Sequence, residues 1–196
     1  MMAEGEGKTP ELPLFTLDVL AMDLGAEIKA VGMELLETES REPVRGKEAA
    51  RVWGAALPAL AVKEPLVMDF FSHLERVQEF CKLHELAYRE SASRCIVVTP
   101  GSADDVTQLF ERFEKETFGV RVGSAVCKED VELESGLSHR GVDAYQAAFS
   151  RYILCGVCEP EDGWVTLLSE GLWASEVIRR VRPALADMDV YLVRPQ

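Results

Sequence analysis

Cys155 and Cys158, separated by two residues in "YILCGVCEPEDGW", are the pair in this chain whose spacing most suggests chemistry. Such a pair grips a metal, cycles a disulfide or fills a core. In an extended strand, residues three apart point to opposite faces and their Cα atoms lie about 10 Å apart. A disulfide tolerates less than about 7 Å. A redox dithiol sits at a helix N-terminus, whose dipole lowers the thiol pKa, whereas this pair runs into a turn carrying Glu159, Glu161 and Asp162, which raise it. A structural zinc needs about four ligands, and Cys127 and His139 are the residues that would complete a set with Cys155 and Cys158. The expectation is two buried strand cysteines with no shared task, no metal and no cofactor.

The three histidines add little acid–base capacity. His73 and His84 on one helix would stand about 16 Å apart, too far to share an ion. His84 falls on an apolar line and reads as a core or interface residue. His139, in "LSHRG", is the remaining candidate base. "VVTPGSADD" looks like a strand leading to a helix N-terminus, where anions bind, but Asp104 and Asp105 occupy the positive end and no glycine-rich lysine motif is present. Ser102, Ser138 and Ser169 lack the G-x-S-x-G elbow, and no H-E-x-x-H array occurs. No catalytic residues are assigned.

Arg179, Arg180 and Arg182, with Arg194 nearby in sequence, form a basic cluster in an otherwise acidic chain. It would receive an acidic partner surface or an anion; the plainer reading is a solvated helix face balancing Glu176 and Asp187. Trp164 and Trp173 bracket the same region, and aromatic residues beside arginines mark binding hot spots. These five residues are the candidate binding patch.

The elements that would hold these side chains read differently in the two halves. From Thr16 to Thr38, Leu17, Leu20, Leu24, Ile28, Val31 and Leu35 recur at spacings of three and four, which predicts a helix. Ala49, Trp53, Ala56, Leu57 and Leu60 predict a second helix, ended or bent at Pro58. Phe70, Leu74, Val77, Cys81, His84 and Tyr88 predict a third over Asp69–Tyr88. Beyond these, "RCIVVTP" predicts a strand, Ser102 an N-cap, and Val106, Leu109, Phe110 and Phe113 an amphipathic helix. "FGVRVGSAV" predicts a strand, Leu137–Phe149 a further helix, "RYILCGVC" and "GWVTLLS" a hairpin, Trp173–Ala186 a helix interrupted at Pro183, and "MDVYLVRP" a closing strand.

The fold expected is α+β. A tail (1–13) precedes an N-terminal helical segment of about three helices (14–90). This packs on a C-terminal split β-α-β, ferredoxin-like sheet (91–196) with helices on one face, possible as one continuous domain.

At 196 residues and 47% hydrophobic, the chain is long enough to bury a core without disulfides. The five cysteines form an odd set without a secretory leader, which fits a reducing, cytoplasmic setting. A net charge of −13 repels polyanions, so nucleic acid is not an expected partner. No apolar run approaches the roughly 20 residues of a membrane span.

These features predict a non-catalytic protein acting through a protein partner or self-association, as an adaptor, regulator or immunity-type partner. The alternatives are a sensor enclosing a small molecule near Arg151, Tyr152 or His84, and a zinc- or thiol-dependent enzyme.

Overall fold

The computed structural model describes residues 12–23, 29–60, 66–70, 73–90, 96–113, 120–125, 152–159, 163–168 and 173–194. The chain opens with strands, not helices. In order, β1 (Phe15–Asp23), β2 (Lys29–Glu37), α1 (Gly46–Leu60), β3 (Leu66–Phe70), α2 (Leu74–Leu83), β4 (Ala87–Glu90), β5 (Ile96–Thr99) and α3 (Ala103–Phe113) are followed by β6 (Val120–Ala125), β7 (Tyr152–Glu159), β8 (Trp164–Leu168), α4 (Ala174–Val181), a 3-10 turn (Pro183–Leu185) and β9 (Val190–Val193).

The helix predicted over Thr16–Thr38 is instead the β1–β2 hairpin. Its register sets Leu17 opposite Leu35, Val19 opposite Met33 and Ala21 opposite Val31. Leu17, Val19, Val31, Met33 and Leu35 are all 0–1% exposed. A helix wheel puts Val19 and Met33 about 200° away from Leu17 and Val31 respectively, on the wet side, whereas a hairpin gathers all five on one face. The period of two wins because it buries more, at roughly 1.5–3 kcal/mol for each large apolar side chain.

Among the described residues, nine strands join in one sheet in the order β4-β5-β3-β6-β7-β8-β2-β1-β9. Every pairing is antiparallel except β1 with β9. The pairings β1–β9, β2–β8, β3–β5 and β3–β6 all bridge the two sides of position 90, so residues 14–90 are not a helical segment packed on a later sheet. They supply four of its strands. Among the described residues, 91–196 do not form a ferredoxin-like sheet of their own: the split β-α-β unit found there, β5-α3-β6, has β3 from the first half of the chain between its strands. A β-α-β-β-α-β run with strand order β4-β5-β3-β6 is found over 66–125, where each helical crossover passes over one strand. The helix predicted over Asp69–Tyr88 is shortened to α2, with Phe70 and Tyr88 in the flanking strands.

The core lies on one face of this sheet. Leu17, Val31, Met33, Met68, Val98 and Val165 supply its floor, and α1, α3 and α4 close it with Trp53, Leu57, Leu109, Phe110, Phe113 and Val177. Phe113 meets Phe70 and Phe80 edge-on, both at 5.5 Å between ring centroids.

Small residues let α1 approach α3: Ala49, Ala50 and Ala56 are buried, and Gly54 sits against Thr107. Pro58 lies inside α1, which ends at Leu60. The Ser102 cap forms as predicted. The Asp105 amide donates to Ser102 Oγ (3.2 Å), while Asp105 Oδ2 accepts from the amides of Gly101 (2.8 Å) and Ser102 (2.9 Å), a reciprocal capping box. No helix among the described residues is long and apolar enough to cross a membrane.

Candidate functional site

The five residues of the predicted patch are not brought onto one surface. Register sets Val165 opposite Met33 in the core, so its neighbour Trp164 belongs to the opposite face of the sheet, away from α4. Its ring lies across Gly32, where a Cβ would come within 2.6 Å of Trp164 Cζ2 and 2.8 Å of Met22 Sδ. Trp173, at the N-cap position of α4, is 58% exposed.

The arginines of α4 turn to a neighbour within the helix. Glu176 accepts from Arg179 Nε and Nη2, both at 2.7 Å, and from Arg180 Nε at 2.8 Å. These hydrogen bonds, Arg179's first and then Arg180's, hold the Glu176 carboxyl down to about 2. The Arg179 guanidinium is correspondingly pushed up by its hydrogen bond to Glu176. Arg180 also donates through Nη1 to the Leu60 carbonyl (3.1 Å), one of the orphan acceptors at the end of α1. Two of the three arginines are therefore structural, and Arg182 stays at the exposed helix end.

Backbone through Cys155 and Cys158 is extended, as expected. Register sets position 158 opposite Val165 and position 155 opposite Leu168, on alternate faces of the sheet. Cys127, His139, Arg151 and the segment Leu137–Phe149 lie outside the described residues, as do the side chains of Cys155, Cys158 and Tyr152. Among the described residues, no three His, Cys, Asp or Glu side chains converge as a metal site. Cys81 is fully buried on α2, and desolvation pushes its thiol up to about 11, which leaves it an inert apolar side chain.

A different site emerges between α2 and α3. An open groove of about 530 Å³ is lined by Phe80, His84, Gln108, Glu111 and Arg112. Phe80 and His84 sit one helical turn apart, and their rings stack at 4.2 Å with a 30° tilt. Phe80 in turn abuts Phe113, and the Arg112 guanidinium lies 5.6 Å from the centroid of that ring, a cation–π distance. Leu83, on the same side of α2, is 78% exposed. His84 closes the helix, its amide donating to the Phe80 carbonyl at 3.0 Å. It is exposed at the groove's edge and not in the core.

Of these residues the sequence singles out His84 alone. Gln108, Glu111 and Arg112 share a face of α3 by their i, i+3, i+4 spacing, yet nothing along the chain says that this face meets α2. The groove combines an aromatic floor with an imidazole, an amide, a carboxylate and a guanidinium at its rim, a composition suited to recognition.

Compared with known proteins, the chain matches no family model, no curated protein and no solved structure.

Proposed function

We propose that the protein is a non-catalytic binding protein, an adaptor, regulator or immunity-type partner, that engages a polypeptide segment in the α2–α3 groove. The observation that carries this reading is the groove's openness. A trough lined by Phe80 and His84 from α2 and by Gln108, Glu111 and Arg112 from α3, with the exposed Leu83 three residues from Phe80 on α2, suits an apolar side chain presented by a helix or strand of another chain. A sensor for a small molecule would bury most of its ligand in a closed chamber.

The test places a photocrosslinking residue at position 108 and, as a control, at the exposed Arg51 on α1. The expected result is a single covalent adduct of defined mass from native extract at position 108 alone, lost on Leu83→Asp with the fold intact by circular dichroism. Equal labelling at both positions, or labelling insensitive to Leu83→Asp, overturns the proposal. The second reading, a small aromatic ligand stacked on Phe80 and His84, is favoured by the rim of His84, Gln108 and Arg112 and predicts no polypeptide adduct.

A further inference from the structure

The two edge strands of the sheet are guarded differently. One edge is β4, which is mostly exposed and carries Arg89 and Glu90. Charge on an edge strand discourages another strand from pairing there. The other edge is β9, whose sequence VYLV holds no charge, no glycine and no proline. Its residues are of the types that favour strands. Val190 and Leu192 pack on the core yet stay half-buried, although Leu17, opposite Leu192 in register, is 0% exposed. Tyr191, on the other face, is 62% exposed.

The backbone groups that β9 leaves open follow from its pairing with β1. Phe15 stands opposite Val190, and its amide donates to the Asp189 carbonyl at 3.2 Å. In a parallel ladder alternate residues turn toward the partner strand, so positions 189, 191 and 193 face β1 while 190, 192 and then 194 turn outward. The Val190 amide already donates to the Met188 carbonyl (2.8 Å). The edge therefore presents, among the described residues, the Val190 carbonyl, both groups of Leu192 and the Arg194 amide. Pro195 follows and has no amide to offer. This set is self-complementary. With a two-fold axis at Leu192, each Leu192 amide donates to the Leu192 carbonyl of an antiparallel copy, each Arg194 amide donates to the other's Val190 carbonyl, and no open group is left over. Charge agrees with that direction. Asp187 and Asp189 precede β9 and Arg194 follows it; all three are exposed, and none has an ion-pair partner among the described residues. Antiparallel pairing sets the cationic end of each copy beside the anionic end of the other, whereas parallel pairing would set like beside like.

We propose that β9 pairs antiparallel with β9 of a second copy of this chain, about a two-fold axis at Leu192, joining both sheets into one. Tyr191 then lies opposite Val193 of the other copy, an aromatic and β-branched pair of the kind that stabilises sheets. The arrangement closes on itself. It uses the uncharged edge of each copy and leaves the charged β4 at both ends of the joined sheet, so it makes a dimer and not a fibre. The contact is independent of the α2–α3 groove, because α2 packs on β4 and β5 at the opposite end of the sheet. A contact built on a strand of 4 residues falls short of the roughly 1,200 Å² of stable interfaces, so the dimer exchanges with monomer as concentration changes.

The experiment follows the mass of the full chain by sedimentation equilibrium from micromolar to millimolar concentration. The expected result is a mass that rises from 21.8 kDa toward twice that value. Tyr191→Lys puts a charge on the edge at an exposed position and should weaken association about tenfold or more, with the fold intact by circular dichroism. Ala87→Lys on the β4 edge and Leu83→Asp on α2, both at exposed positions, should leave association unchanged. Disulfide trapping reads the register. Mixed Tyr191→Cys and Val193→Cys chains should crosslink faster than either variant alone or wild type, because the Cα atoms of such a facing pair lie about 4.5 Å apart, within disulfide reach. A chain that stays monomeric at millimolar concentration, a dimer indifferent to Tyr191→Lys, or one lost on Ala87→Lys or Leu83→Asp overturns the proposal. Faster crosslinking of Tyr191→Cys with itself overturns the axis at Leu192.

Discussion

Arg180 reaches from α4 to the carbonyl of Leu60, 120 residues earlier, and closes the open end of α1 with a charged donor. The same guanidinium is fixed on its other side by Glu176. Its side chain is 28% exposed, so the carbonyl it satisfies is only partly reachable by water. Arg180→Ala should cost about 1–2 kcal/mol in urea unfolding, and Arg180→Lys, which has one cationic centre in place of two directed N–H groups, should recover only part of it. An Arg180→Ala protein as stable as wild type would show that α1 and α4 are held by apolar packing alone.

The carboxyl of Glu176 links this clamp to pH. Its pKa falls from the ordinary 4.5 to about 2 in the folded chain. A lowered pKa means that the folded state binds this proton less readily than the unfolded one. The resulting stabilisation is complete above about pH 4.5 and disappears as the pH drops toward 2. Other carboxylates titrate over the same interval, so the informative quantity is the Tm of wild type minus that of Glu176→Gln. The difference should favour wild type at pH 6, shrink between pH 4.5 and 2, and vanish below. A difference constant across that interval would mean that the arginines do not select the charged form.

The hairpin of β1 and β2 shows how far a single sequence carries. Leu17, Leu20, Val31 and Leu35 satisfy a helical stripe, yet Leu17, Val19, Val31, Met33 and Leu35 also satisfy two alternating strands, and only contact with a distant strand decides between them. That contact comes from β8, whose Val165 pairs with Met33 more than 100 residues on. Substitution separates the two arrangements cleanly. Val19, fully buried in the hairpin, would face water in the helix, and half-buried Leu20 would be buried in it. Val19→Lys should cost about 3 kcal/mol or more, by burying an unpaired charge. Leu20→Lys should cost about 1 kcal/mol, its stem lying on the sheet while the ammonium reaches water. The opposite order would restore the helix.

Legibility in this chain follows from how local each signal is. The cap of Ser102, the amphipathic run of α3, the strand at Ile96–Thr99 and the β7–β8 hairpin are each written within fewer than about twenty consecutive residues, and they are present as read. The arginine–tryptophan patch was not legible. Trp164 precedes Val165 on a strand, and a strand sends neighbours to opposite faces, so its closeness in sequence to Trp173 does not carry over into space. The α2–α3 groove was hidden for the converse reason. Phe80 and Gln108 lie 28 positions apart and line one groove only because both helices pack on the same face of the sheet.

Gly54 marks a close approach of α1 to α3. A methyl group there would overlap Thr107 Oγ1 and lie 3.0 Å from both Thr107 Cβ and its amide nitrogen. The hydroxyl cannot swing away freely, because it donates to the Ala103 carbonyl one turn back (3.0 Å). The helices must therefore separate. Gly54→Ala gains helix propensity of about 1 kcal/mol, yet it should still destabilise the protein by about 1–3 kcal/mol through overpacking. Adding Thr107→Ala removes the nearest atom and should return part of the loss, while the contacts with Cβ and the amide remain. A double-mutant cycle should thus give a coupling of about 0.5 kcal/mol or more. Additive effects would place the strain of Gly54→Ala elsewhere than at this crossing.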